Sequence, residues 1–406
     1  MAGASALLTV SGVDRPGVTA RLFSALAGAA DGAPPVEVVD VEQVVVHGQL
    51  VLGVVVASLP VEGRPAEGEA ALLARLGRLA ADVAAAAGVQ VRVESATGPE
   101  PERSRPHHVI VLGRPVPPAA VAGAARTIAG IGGNIDAIRR LSDYPVTAFE
   151  LTVSGAESSA LRTALAEVSA ATGADLAVEQ AGLTRRSKRL IVLDVDSTLV
   201  RGEVIDELAA RAGRAAEVAR ITAAAMNGEL DFAESLRARV AALAGLPVEV
   251  LDEVRERLEL TPGARTLIRT LQRLGFRCGI VSGGFSQITG PLAESLGLDF
   301  MAANTLEVAD GKLTGGLVGE IIDRAGKARA LVRFAAEHGI PLEQTVAVGD
   351  GANDLDMLGT AGLGIAFNAK PVVREQAHAA LNQPYLDAVL HVLGFTRDEV
   401  LEGSQP

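Results

Sequence analysis

The chain has no tryptophan, and only 3% of its 406 residues are aromatic. Its cores must therefore be aliphatic, since 49% of the residues are nevertheless apolar, enough for a globular protein rather than a disordered one. A single cysteine, Cys278, excludes an internal disulfide framework and fits a reducing compartment. No apolar run reaches the roughly 18 residues that a membrane span needs. The stretch Met1 to Ser11 has neither the basic flank nor the long apolar centre of a secretory signal. Basic residues are also in short supply: 37 Lys and Arg face 49 Asp and Glu, for a net charge of −12, and no basic stripe appears. That argues against nucleic acid or an anionic membrane as partner. The expectation is a soluble, cytoplasmic protein of several domains, because the length exceeds what one ordinary core holds.

Two polar stretches divide the chain: Ala96 to Pro106 (ATGPEPERSRP) and Gly182 to Lys188 (GLTRRSK). Read as linkers, they leave segments 1–95, 107–181 and 189–406. The first two segments share one order. Segment one predicts strand Ala6–Ser11, helix Pro16–Ala30, strands Val36–Val46 and Leu50–Ser58, helix Ala66–Ala87 and strand Val89–Glu94. Segment two predicts strand His108–Leu112, helix Pro117–Ile131, strands Asn134–Leu141 and Thr147–Ser154, helix Glu157–Thr172 and strand Asp175–Glu179. Both are β-α-β-β-α-β, the ferredoxin-like order, in tandem.

Segment three begins with a continuous apolar run, Leu190–Leu193, ending in Asp194. A strand buried on both faces reads this way. Four helical stretches follow, about Val204–Ala212, Ala215–Asn227, Phe232–Ala244 and Val248–Leu258. Strand and helix then alternate, predicting a doubly wound α/β domain with a helical cap inserted at about 200–260.

Four motifs in this segment carry chemistry. Asp194-Val195-Asp196-Ser197-Thr198 places two carboxylates just beyond the first strand. Asp194 can attack phosphorus, while Asp196 protonates the leaving oxygen and later deprotonates water. Ser282-Gly283-Gly284 follows the strand Arg277–Val281, where a hydroxyl and glycine N–H groups before a helix can cradle an anion. Lys327 falls in the first turn of a helix, where the macrodipole disfavours a cation and a phosphate would compensate it. Gly349-Asp350-Gly351-Ala352-Asn353-Asp354 follows the strand Thr345–Val348 and suits a hard divalent cation. Each motif alone has a plain reading: an acidic loop, a βα turn, a solvated lysine, an Asn/Gly turn. Together they converge on the edge where open α/β sheets bind ligands, and the acids there need Mg²⁺ and Lys327 to offset their repulsion.

In these motifs and their order, segment three resembles the haloacid dehalogenase (HAD) superfamily. DVDSTLVRGEVIDELA, GELDFAESLRARV and VSGGF resemble the phosphoserine phosphatase family in particular. The resemblance implies a Rossmann-like core and hydrolysis of O-phospho-L-serine to L-serine and phosphate, the last step of L-serine biosynthesis. It further implies an aspartyl-phosphate on Asp194, with Mg²⁺ held by Asp194, the backbone carbonyl of Asp196, and Asp350. Asn353 and Asp354 would assist at the phosphate and metal. Glu203 would bind the substrate's ammonium and Arg239 its carboxylate, with Met226 and Phe232 as apolar cap contacts. The residues agree independently: Phe232, Leu236, Val240 and Leu243 form a stripe at helical spacing, and Arg239 lies along it. A guanidinium on an apolar face needs an anion or must snorkel.

Segments one and two resemble ACT domains, regulatory modules of amino-acid metabolism. Val13-Asp14-Arg15-Pro16-Gly17 matches their ligand turn, which makes Asp14, Arg15 and Gly17 effector candidates. The second copy has Gly113-Arg114-Pro115-Val116 and retains only Gly113 as a candidate. The resemblance implies pairing through exposed edge strands into a homodimer, with L-serine as a possible inhibitory effector. Both copies could equally be plain dimerisation modules. The competing functional readings are the same chemistry on another small or protein-borne phosphoester, and a non-catalytic amino-acid sensor.

Overall fold

The computed structural model describes residues 4–28, 34–60, 65–96, 106–226 and 230–404. The chain forms two compact units, Met1–Glu102 and Arg103–Pro406.

In the first unit, strands β1 (Ser5–Val13), β2 (Val36–Val46), β3 (Gln49–Ser58) and β4 (Gln90–Ser95) form an antiparallel sheet in the order β2-β3-β1-β4. Helices Val18–Gly28 and Glu69–Ala87 cover one face. Leu22, Leu72 and Leu76 interdigitate there with Ala6, Leu8 and Val10 of β1. The alternation along β1, with Leu8 and Val10 buried and Thr9 and Ser11 on the other side, reflects a sheet packed on one face only.

The second unit opens with the same topology. Strands β5 (His107–Gly113), β6 (Asn134–Ser142), β7 (Thr147–Ser154) and β8 (Asp175–Gln180) run in the order β6-β7-β5-β8. Helices Pro118–Gly130 and Ser158–Thr172 pack on Val109, Val111, Leu151 and Val153. Here the opposite face is covered too. Ile110, Leu112, Ala148 and Ala177 share one apolar cluster with Leu386, Val389 and Leu390 of the third segment. That is why β5 reads Val109-Ile110-Val111-Leu112 without alternation, whereas β1 alternates. Gly182 to Lys188 is accordingly no loose linker. It contains the short helix Leu183–Arg186, and both Arg185 and Lys188 are buried. Of the other expected linker, residues 97–105 lie outside the described residues.

The third segment supplies β9 (Leu190–Leu193), β10 (Arg277–Phe285), β11 (Phe300–Ala309), β12 (Lys312–Val318), β13 (Thr345–Gly349), β14 (Leu363–Phe367) and β15 (Ala379–Leu381). They form one sheet in the order β12-β11-β10-β9-β13-β14-β15, parallel throughout except for β12. The central strands β9 and β13 are buried along their whole length. The cap, helices Val204–Arg211, Ala215–Met226, Phe232–Ala241 and Val250–Arg255, leaves and rejoins the sheet at an antiparallel bridge between Val200 and Leu260. Its core of Leu208, Leu236, Val240 and Val254 packs on Phe285, Ile288 and Leu306. Two elements depart from the sequence reading. Ser282-Gly283-Gly284 lies within β10 rather than in a turn after it, and the hairpin of β11 and β12 adds strands that periodicity did not reveal.

Asp175 joins the second repeat to the core. Its carboxylate accepts from the Asn382 backbone N–H at 2.8 Å, the Asn382 amide at 2.7 Å and the Gln383 amide at 3.0 Å. Burial holds its pKa above the usual carboxylate range despite these bonds. Asp175→Ala leaves those donors without an acceptor and should cost about 1–3 kcal/mol, read as a lowered midpoint in denaturant unfolding.

Candidate active site

All four motifs lie at the C-terminal edge of the parallel sheet or open the helix beside it. Asp194 follows β9 and Asp350 follows β13, two adjacent strands joined by a hydrogen bond from the Asp194 N–H to the Val348 carbonyl at 2.9 Å. Asp194 and Asp354 are both buried, at 4% and 0% exposure, so two carboxylates share a low-dielectric space. Lys327 answers them. Its side chain rises from helix Arg324–Glu337, is wholly buried, and donates to Asp194 Oδ1 at 2.6 Å and Asp354 Oδ1 at 2.7 Å. Burial alone would depress the ammonium, but the two carboxylates and their hydrogen bonds outweigh it and hold it above its ordinary value. Burial and the neighbouring Asp354 push Asp194 well up. The solvated-lysine reading is thereby excluded.

Asp350 accepts from the Thr198 hydroxyl at 2.9 Å, and burial, then Asp354, raises it to about 6. Ligand oxygens of Asp194, Asp350 and Asp354 lie within 4.8 Å of one another. This all-oxygen donor set fits a small hard cation. Asp354 gives one oxygen to Lys327 and the other to the Gly351 N–H at 2.9 Å, so Asp194 and Asp350 keep the oxygens most open to a metal.

Asp196 is held differently. Its Oδ1 accepts from the Val204 N–H at 2.8 Å, in the first turn of the cap, and its Oδ2 from the Ser282 hydroxyl at 3.2 Å. Burial raises its pKa, which favours a protonated acid. The turn between the two acids is tight: Ser197 has φ 58°, a region costly for a residue with a Cβ. The backbone at Gly284 runs so close that a Cβ would sit 2.9 Å from Asp196 Oδ2 and 3.0 Å from Ser282 Oγ. Only glycine lets the β10 strand pass these side chains. At Gly283 a Cβ would approach the Phe232 ring to 3.2 Å, so the cap phenylalanine packs closely over this stretch of β10.

Glu203 and Arg239 face the same space without an ion pair between them among the described residues. Glu203 accepts from the Ser197 hydroxyl at 3.1 Å. Burial, then the Asp196 charge, raises its carboxyl to about 7. Arg239 Nε reaches only the Ser235 carbonyl, at 3.4 Å, and burial lowers its pKa although Glu203 and Asp206 act to raise it. Asn353 is half-buried in the turn between Gly351 and Asp354. Met226 ends helix Ala215–Met226, and its side chain lies outside the described residues.

Of the effector candidates, Asp14, Arg15 and Gly17 belong to the first unit and Gly113 to the second. Asp14 and Arg15 are exposed after β1, and Gly17 has φ 95°, which favours glycine. At Gly113 a Cβ would lie 2.9 Å from both the Pro115 carbonyl and the Val116 Cα, so the turn requires glycine there. The sequence reading missed Thr198. The only signal for it was its place in Asp194-Val195-Asp196-Ser197-Thr198.

Comparison with known proteins agrees with this geometry. The haloacid dehalogenase-like hydrolase family matches residues 191–359, and ACT domain families match residues 5–93 and 105–179. The chain is 56% identical over 398 residues to a phosphoserine phosphatase of Streptomyces coelicolor, covering 97% of this chain and 93% of that protein. It is 56% identical over 402 residues to a phosphoserine phosphatase of Mycobacterium tuberculosis, covering 98% and 94%. Among solved structures, a probable phosphoserine phosphatase from Vibrio cholerae superposes with a TM-score of 0.56 at 36% identity, covering 73% of this chain and 88% of that one.

Lys327→Met would leave Asp194 and Asp354 buried without their cation. We expect a loss of about 3–5 kcal/mol in metal-free protein. Added Mg²⁺ should raise the melting temperature of this variant more than that of the parent chain.

Proposed function

Since the chain belongs to the phosphoserine phosphatase family, we propose that it hydrolyses O-phospho-L-serine to L-serine and phosphate through a phosphoryl group carried on Asp194, the last step of L-serine biosynthesis. The observation that carries this reading is the pair of differently held acids, Asp194 on Lys327 and Asp196 on Ser282 and Val204. A carboxylate oxygen of Asp194 attacks phosphorus in line with the leaving serine oxygen while Lys327 holds the group in place. As the phosphorus–oxygen bond to serine breaks, Asp196 donates its proton to that oxygen. The resulting Asp196 carboxylate then takes a proton from water, which attacks the same phosphorus and releases phosphate from Asp194. The Gly284 N–H donates to the Ser282 hydroxyl at 2.8 Å and so orients it beside Asp196, and Lys327 would offset the charge of a bound phosphate.

Asp194, the Asp196 backbone carbonyl and Asp350 would hold Mg²⁺, with Asp354 orienting the set. When bound, this ion supplies positive charge to the transferring phosphoryl group.

Glu203 and Arg239 select the substrate. Lacking each other as a partner, they suit the ammonium and the carboxylate of an amino acid. The ACT repeats support a homodimer and an amino-acid effector, most simply the product L-serine. The edge strand β2 of the first repeat exposes Val38, Val41, Val44, Val45 and Val46, an apolar edge that a second copy would cover. An Asp14→Ala variant should then require more L-serine for inhibition than the parent chain, with kcat unchanged.

Asp194→Asn should abolish turnover while preserving the fold, because an amide is a poor nucleophile at phosphorus. Asp196→Asn should slow it by about 10²–10⁴-fold. Single-turnover phosphate release measures both, and substantial activity in Asp194→Asn would end this mechanism. Glu203→Gln or Arg239→Met should raise KM for phosphoserine far more than for p-nitrophenyl phosphate. The sign with pH follows from Glu203. The free protein holds it near 7, and an ammonium favours the ionised form, so KM for phosphoserine should rise as pH falls below about 7. Glu203→Gln should flatten that part of the KM profile, a comparison that cancels titration of the substrate itself.

A further inference from the structure

Between the second repeat and the core lies a cavity of about 180 Å³ that the reaction does not use. Arg162 and Glu179 line it from the repeat, Arg185 and Lys188 from the connecting segment, and His378 from the core. Three of these are charged and buried: Glu179 and Arg185 are 8% exposed and Lys188 is 3% exposed.

Their partners do not account for them. Arg185 pairs with Glu150 at 2.5 Å and donates to the Val392 carbonyl at 3.1 Å, yet its buried Nε–H has no acceptor. Lys188 spends one of its three donors on the Glu343 carbonyl at 2.8 Å. Among the described residues, Arg162 reaches only the Ser158 hydroxyl, at 3.0 Å. Glu179 makes no hydrogen bond through its side chain among the described residues. Burial raises the Glu179 carboxyl and depresses the Lys188 ammonium, although each attracts the other. Arg185 is matched by Glu150 and Lys188 is attracted by Glu179, the exposed Arg162 adds a positive charge at the cavity, and the buried Lys188 ammonium has two N–H bonds without an acceptor among the described residues. A buried ammonium donor in this position calls for an acceptor.

We propose that this cleft binds a small oxyanion, gripped by Arg162 and Lys188. Two sources share that chemistry, a tetrahedral phosphate and a carboxylate. An anion here would touch repeat, connector and core together, so its binding would strengthen their docking.

The test is calorimetric titration of the full chain in EDTA, at constant ionic strength, with inorganic phosphate and separately with acetate. At least one anion should bind with an affinity that falls tenfold or more in Arg162→Ala and is retained in Arg162→Lys. Arg162 is exposed, so both variants should fold. The anion that loses affinity identifies the source. Inhibition of p-nitrophenyl phosphate hydrolysis by phosphate, which reads the active site, should be the same in Arg162→Ala as in the parent chain. If neither anion shows a binding step that depends on Arg162, the proposal is overturned.

Discussion

Everything at the active edge depends on one buried ammonium. Lys327 sits between Asp194 and Asp354 at 2.6 and 2.7 Å, in a place from which water is excluded. Two carboxylates cannot share such a space as anions without a cation, and a lysine cannot stay charged there without carboxylates. Each therefore fixes the protonation state of the other. The lysine also holds Asp194 in place through one of its oxygens. That arrangement serves stability and chemistry at once, because the same positive charge that permits the buried acids also faces the position a phosphate would take.

The division of labour proposed for the two acids rests on their surroundings. Asp194 is held by a cation and Asp196 by neutral donors, the Val204 amide and the Ser282 hydroxyl. A carboxylate held by a cation suits attack, and one held by weaker donors in a buried site can keep a proton to give away. Because Val204 opens the first cap helix, the acid is also tied to the element that carries Glu203 and leads to Arg239. In the proposed mechanism, substrate recognition and proton donation would thus share one short stretch of chain.

The fold and the placement of the acids at the sheet's edge were legible in the sequence, for a physical reason. Parallel strands end in their functional residues, so apolar runs such as Leu190–Leu193 and Thr345–Val348 announce the acids that follow. The βαββαβ order of both repeats was readable from alternation and turns. What escaped was tertiary. The run Val109-Ile110-Val111-Leu112 already carried the mark of a strand covered on both faces, but the cover, Leu386, Val389 and Leu390, comes from far along the chain. Gly182 to Lys188 looked like a linker because it is polar, and only the fold shows Arg185 meeting Glu150. The β11–β12 hairpin was hidden because small and polar residues such as Ala302, Asn304, Thr314 and Gly315 break the alternation.

The central claim is that an oxygen of Asp194 bonds to phosphorus, and a crystal structure with beryllofluoride and Mg²⁺ tests it most directly. The account predicts beryllium bonded to a side-chain oxygen of Asp194, with Lys327 still in hydrogen-bond contact. Beryllium found on Asp196, on Ser282 or on any other side chain would contradict it.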